Sequence, residues 1–278
     1  MNEEFLNFYK TTKHLNIITT NECNRNCPFC IAKKNSNNSN YKYISMENIE
    51  NAINFIQNEN IESIALSGGE PTLHPNIVKI AKVIKKTNAK LALYTNYDFP
   101  EKVQSLDGLF DYIFISYYAQ TMPNPEDFKK SKIVITILLL KNYFKTIKDL
   151  DNFIEQYKDR ATLIFSVPVN VNDYCEEQTV DFLEEIDKYN ATRDSLPDGT
   201  IIQTYKNCII KRPDLPKAFI ELDSYSYKMR LDGKISHFYS EGTEKLSKIT
   251  NISLRNELLS THNPKKRKAI FDKYKNIQ

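Results

Sequence analysis

The chain has 278 residues, 41% apolar and 26% charged, an ordinary globular balance with enough length to enclose one large core. No apolar run of about 18 residues occurs, and the N-terminus lacks the basic and apolar stretches of a signal peptide; this argues against a membrane span or secretion and leads us to expect a cytoplasmic protein. A formal charge of +3 is too mild for a nucleic-acid-binding face, and the one dense basic cluster, Lys265, Lys266, Arg267 and Lys268, reads as a solvated tail.

From His14 to about Tyr189 short apolar, β-branched runs alternate with longer amphipathic stretches, the rhythm of βα units on a parallel sheet. Strands are expected at Leu15 to Thr19, Ile64 to Ser67, Leu91 to Thr95, Tyr112 to Ser116, Ile133 to Leu140 and Thr162 to Val167. Helices are expected at Ser45 to Asn58, Asn76 to Lys86 and Phe144 to Tyr157, each with apolar residues at helical spacing. Right-handed crossovers curl six such units toward an α/β fold, a partial (β/α)6 TIM-like barrel with a lateral opening. Residues 1–190 form this core in our reading. Residues 191–278 form a small C-terminal extension with a helical tail and short strands at Ala218 to Leu222, Tyr227 to Leu231 and Ile235 to Tyr239. Asp232 and Gly233 signal a hairpin between the last two. Asn35 to Asn40 is a polar loop.

The count of five cysteines is odd, and Cys23, Cys27 and Cys30 lie within one short loop directly after the first strand. Three thiolates at this spacing suit an iron-sulfur cube that keeps one iron open for another ligand. Two other readings compete. A zinc site needs a fourth ligand from His14, His74, Cys175 or Cys208, none at a supporting spacing. A redox pair of Cys27 and Cys30 leaves Cys23 without a role.

The second strand runs out into Ser67, Gly68, Gly69, Glu70, Pro71 and Thr72. The chain has only six glycines, and two adjacent ones at a strand's C-terminal end mark either a tight turn or a place where backbone must approach a ligand closely. Glu70 beside them can accept from a cationic amine.

Cys23, Cys27, Phe29 and Cys30 match the C-x-x-x-C-x-aromatic-C signature of the radical S-adenosylmethionine (SAM) superfamily, and Gly68, Gly69, Glu70 and Pro71 resemble its Gly-Gly-Glu-Pro motif. The resemblance implies an enzyme with one 4Fe-4S cluster on the three cysteines. It implies SAM bound near Phe29, Gly68, Gly69 and Glu70, with Asn96 in a Thr95-Asn96 pair, Ser116, Asn142 and Val167, followed by Pro168, at further cofactor positions. It also implies reductive cleavage of SAM to a 5'-deoxyadenosyl radical that abstracts a substrate hydrogen, with electrons from a flavodoxin- or ferredoxin-type donor. The loop from Tyr117 to Lys130, including Gln120, is the expected substrate wall. Cys208 is a candidate hydrogen donor or a buried apolar residue. Asp232 to Ile235 faintly resemble the turn of a degenerate SPASM/twitch extension, but Cys175 and Cys208 are too few for a second cluster. A ribosomally made peptide is the leading substrate class by resemblance. A nucleotide, sugar or amino acid comes next, and tRNA modification last.

Overall fold

The structure is a computed structural model that describes residues 3–11, 13–30, 41–118, 122–168, 173–189, 193–195, 201–212 and 226–237. The polar loop at Asn35 to Asn40, Gln120, the strand expected at Ala218 to Leu222, the helical tail and the cluster Lys265 to Lys268 lie outside the described residues.

The six expected strands are present: β1 (His14–Thr20), β2 (Ser63–Gly68), β3 (Lys90–Thr95), β4 (Tyr112–Tyr117), β5 (Lys132–Leu138) and β6 (Thr162–Ser166). Each pairs in parallel with the next. Among the helices between them, α2 (Met46–Asn58) is capped by Ser45, whose hydroxyl accepts from the Asn48 amide, and buries Ile49, Ala52 and Ile56. Helix α3 (Ile77–Ile84) buries Ile77, Ile80, Ala81 and Ile84. Helix α4 (Pro100–Gln104) is a short turn, and α5 (Ile147–Tyr157) starts in a capping box between Thr146 and Asp149. Helices α6 (Asp173–Gln178) and α7 (Leu183–Lys188) follow β6.

The strands after residue 190 do not stand apart. They extend the same sheet, whose order is β11-β10-β1-β2-β3-β4-β5-β6-β9-β8-β7. Strand β9 (Cys208–Arg212) lies parallel to β6, and β8 (Ile201–Tyr205) and β7 (Arg193–Ser195) continue that edge antiparallel. At the other edge β10 (Ser226–Met229) lies parallel to β1 and turns into β11 (Ile235–His237) through the expected hairpin, with Gly233 at φ +82. The extension thus adds a parallel strand to each flank of the six-strand array, because Cys208, Ile210 and Met229 join its outer core and Ile209 its inner cluster.

Period-two alternation divides the strands into two faces. Ile64, Leu66, Leu91, Leu93, Ile113, Ile115, Ile133, Ile135 and Ile210 point outward into the core shared with α2, α3 and α5. Ala92, Tyr112, Phe114, Val134, Ile164 and Ile209 point to the other side and form a second cluster. Inner-face residues of β2, β3, β4, β5, β6 and β9 surround one cavity, and the Tyr94 hydroxyl of β3 feels the charge of Lys211 on β9 although three strands lie between them, so the sheet curls around this face as a partial barrel.

A short helix that the sequence pattern did not reveal fills the base of the barrel. Helix α1 (Glu3–Lys10) buries Phe5 and packs Leu6, Phe8 and Tyr9 into the inner cluster, with Phe8 stacked on Tyr112 at 4.3 Å. At eight residues it is too short to hold its shape in isolation, and its packing is what sustains it. Among the described residues no helix is long and apolar enough to cross a membrane. Because Phe5 lies against Tyr9, Tyr112 and Phe114, Phe5→Ala is expected to cost about 3–5 kcal/mol of stability. Urea unfolding measures this, and a loss under about 1 kcal/mol would show that α1 is not an integral plug.

Candidate active site

With α1 closing the lower half, the C-terminal half of the barrel keeps a cavity of about 430 Å³. The exits of β1, β2, β3 and β4 meet at its rim. The sulfur-bearing residues Cys23, Cys27 and Cys30 all line it, together with Phe29, Gly68, Gly69, Glu70, Asn96 and Ser116.

The cysteine loop is held first by its stem. Gly69 donates its amide to the Thr20 carbonyl and Glu70 donates to that of Glu22, both at 2.7 Å. A Cβ on Gly68 would sit 2.3 Å from the Thr20 oxygen, and one on Gly69 would sit 2.1 Å from the Glu22 oxygen. Gly68 also adopts φ +136, a conformation that side chains disfavour. The glycine pair therefore admits the neighbouring chain. On its other side the stem is tied by Asn21 N and Thr20 Oγ1, which both donate to the Lys42 carbonyl.

Glu70 sits at the centre of the next layer and is 1% exposed. Its Oε1 accepts from the Thr72 amide, the Thr72 hydroxyl and the Thr95 hydroxyl, while Oε2 accepts from the Asn96 amide at 2.7 Å. The carboxylate thereby joins the exit of β2 to that of β3, and Oε2 keeps capacity for one further donor.

A third layer fixes the loop's middle. Asn96 Nδ2 donates to Asn24 Oδ1 at 2.8 Å, and Asn24 Nδ2 donates to Asp98 Oδ2 at 2.6 Å. Arg25 grips Asp98 with two guanidinium nitrogens, and its hydrogen bonds hold that carboxyl below the usual carboxylate range. The same guanidinium lies 4.5 Å from the centre of the Tyr118 ring, which stacks on Phe29 at 5.6 Å. Tyr118 hydrogen-bonds Ser116, and burial pushes its hydroxyl up. Tyr117 and Tyr118, from the loop expected to form a substrate wall, both line the cavity, whereas Asp98 is a site residue that sequence reasoning missed, since no pattern links an aspartate after β3 to an arginine inside a cysteine loop.

Three expected positions are not brought to the cavity. Val167 follows Ser166, which faces inward, so alternation turns Val167 into the outer core at 8% exposed. Cys208 is 2% exposed in that outer core for the same reason, next to inward-facing Ile209; burial pushes its thiol up to about 12. Asn142 is exposed on a turn after β5 that the buried pair Leu139 and Leu140 pulls toward the outer core.

The donor set at the rim suits an iron-sulfur cube better than a single ion. Three thiols of one loop line one cavity, the all-sulfur donor set that an iron-sulfur cube takes. The fourth ligands that zinc requires are all elsewhere. His74 uses Nε2 on the Ile44 carbonyl and Nδ1 on the Asn76 amide, His14 contacts Ser63, and Cys175 and Cys208 are buried away from the cavity.

Residues 17–183 match the family model of the radical SAM superfamily, and the chain belongs to that superfamily. It is thus an enzyme of a class that works with SAM and a 4Fe-4S cluster. It is 27% identical over 193 residues to a putative glycyl-radical enzyme activating enzyme of Methanocaldococcus jannaschii, a match covering 63% of this chain and 75% of that one. It is 29% identical over 169 residues to a probable GTP 3',8-cyclase of Pyrococcus horikoshii, covering 59% of this chain and 47% of the cyclase. It is also 33% identical over 108 residues to an uncharacterized M. jannaschii protein, covering 34% and 36% respectively, so the chain spans well under two thirds of two of these three relatives. In fold it resembles Streptococcus suis SuiB bound to S-adenosylmethionine, with TM-score 0.54 and 12% identity over 84% of this chain and 62% of SuiB. SuiB bound to its precursor peptide SuiA gives TM-score 0.53 at 13% identity over 84% of this chain and 60% of SuiB.

Because the stem docks only where Cβ atoms are missing, Gly69→Ala is expected to speed amide exchange in residues 62–75 by about tenfold or more. Gly233→Ala, whose clash is with the Asn48 side chain and not with the stem, should leave that segment protected. Hydrogen-exchange mass spectrometry reads both, and unchanged exchange in Gly69→Ala would contradict the docking role.

Proposed function

We propose that this chain is a single-cluster radical SAM enzyme that abstracts hydrogen from a peptide substrate. The observation that carries this reading is the convergence of Cys23, Cys27 and Cys30 with the Gly68 to Glu70 shelf on one cavity. Cys23, Cys27 and Cys30 would hold the cluster. With SAM bound, the cluster supplies an electron that cleaves SAM to methionine and a 5'-deoxyadenosyl radical able to abstract a hydrogen atom.

The chain's own residues bind, orient and shield. The spare capacity of Glu70 Oε2 suits the amino group of the SAM methionine, while Gly68 and Gly69 offer backbone without a side chain in the way. Ser116, on the inner face of β4, is placed for the ribose. The stacked pair of Phe29 and Tyr118 walls the cavity beside the cysteines and excludes water. Cys23 is exposed, which gives a flavodoxin- or ferredoxin-type donor an approach to the cluster. None of the five cysteines forms a disulfide, as suits a reducing cytoplasm.

The peptide reading leans on the likeness in fold to SuiB, a protein solved with a precursor peptide. A small metabolite is the second reading, favoured by the modest size of the cavity and by the match to a probable GTP 3',8-cyclase.

Anaerobic reconstitution followed by assay with SAM and a strong reductant tests the reading. The wild type is expected to form 5'-deoxyadenosine, Cys27→Ala to lose both iron and product, and Cys208→Ala to keep its iron. Candidate peptides carrying deuterium should pass label into 5'-deoxyadenosine. Absence of product from an iron-loaded wild type would overturn the enzyme reading, and label arriving only from a small metabolite would overturn the peptide assignment.

A further inference from the structure

The charged side chains that line the cavity are Arg25, Glu70 and Lys211. Arg25 is engaged by Asp98, and Glu70 by Thr72, Thr95 and Asn96. Lys211 is different. It lies on the inner face of β9, one alternation beyond Ile209, and none of the carboxylates whose side chains the structure describes forms an ion pair with it. Its register partner on β6 is Ser166, which also faces the cavity, and its charge is felt by the Tyr94 hydroxyl on β3.

Half-buried among serine, leucine and tyrosine side chains, Lys211 brings to this wall of the cavity a positive charge that an anionic group would complement. A second lysine lies on the same face of the sheet. Lys228 on β10 is the register partner of Asn16, whose side chain accepts from the cavity-lining Ser67, so Lys228 also lies on the inner side of the sheet. Strand β9 is separated from β1 and its cysteine loop by the whole run β2 to β6. Lys211 thus reaches the cavity from a different strand edge than the cysteine loop that shares it.

We propose that Lys211, with the Ser166 hydroxyl beside it, is the recognition site for an anionic group of the substrate, a carboxylate or a phosphate. The proposal rests on the function given above in taking the cavity as the substrate chamber. It adds a selection rule: substrates carry a negative group placed away from the hydrogen that is abstracted. An acidic peptide side chain and a nucleotide phosphate both meet it.

Calorimetric titration of the reconstituted protein with glutarate and with pyrophosphate tests the site. At least one probe is expected to bind the wild type, with Lys211→Met weakening it about tenfold or more and Lys211→Arg holding it within about threefold. Binding of glutarate alone identifies a carboxylate substrate, and binding of pyrophosphate alone a phosphorylated one. Ser166→Ala gives an independent reading, a severalfold loss, should Lys211→Met fold poorly. SAM affinity and iron content should stay at wild-type levels in each variant. The proposal is overturned if neither probe binds the wild type, if Lys211→Met and Ser166→Ala bind as well as wild type, or if SAM affinity falls in parallel, which makes the lysine a cofactor contact. Failure of the wild type to take up iron would instead remove the function proposed above.

Discussion

The site depends on a backbone contact that only glycine allows. Two amides at the end of β2 reach the Thr20 and Glu22 carbonyls because Gly68 and Gly69 present no Cβ to the chain beside them. Everything the cysteine loop does follows from that anchoring. Once the stem is fixed, Glu70 is carried to a buried position where it gathers donors from β2 and β3, and the Asn24, Arg25 and Asp98 network sets the loop's middle. The Gly-Gly-Glu segment thus acts twice. It builds the loop that presents the thiols, and it offers the shelf beside them.

The second constraint is the alternation of a curled sheet. One residue of register decides whether a side chain meets solvent-free core or working cavity. Ser166 and Lys211 face in; Val167, Cys208 and Ile210 face out. The inner face is itself divided along the strands. Aromatic and aliphatic residues with α1 fill its lower part, whereas Ser67, Ser116, Thr136, Ser166 and Lys211 line the upper part. A polar chamber above an apolar plug places chemistry at the C-terminal ends of the strands, as in other parallel barrels.

Much of this was legible before any coordinates. The six strands were marked by β-branched runs, α2, α3 and α5 by their apolar spacing, and the cysteine loop and glycine pair by local motifs whose chemistry is carried by adjacent residues. What stayed hidden was set by contacts distant in sequence. Helix α1 has too few residues for a period to stand out, and its identity comes from packing against Tyr112 and Phe114. The placement of β9 and β10 at opposite flanks depends on pairing with β6 and β1 across long intervals. Asp98 acquires its role only through Asn24 and Arg25. Asn142 and Val167 are expected from their proximity to strand ends and Cys208 from its thiol chemistry in the extension, and the direction of each side chain is a matter of register that a motif does not carry.

The central claim is that three thiols on a docked loop hold a cube with one iron free for SAM. Mössbauer spectroscopy of protein reconstituted with ⁵⁷Fe, before and after SAM is added, addresses it directly. The account requires a signal from about four irons, with about one of them shifting when SAM binds. A signal that SAM leaves unchanged, or a protein that takes up zinc in place of iron, would contradict it.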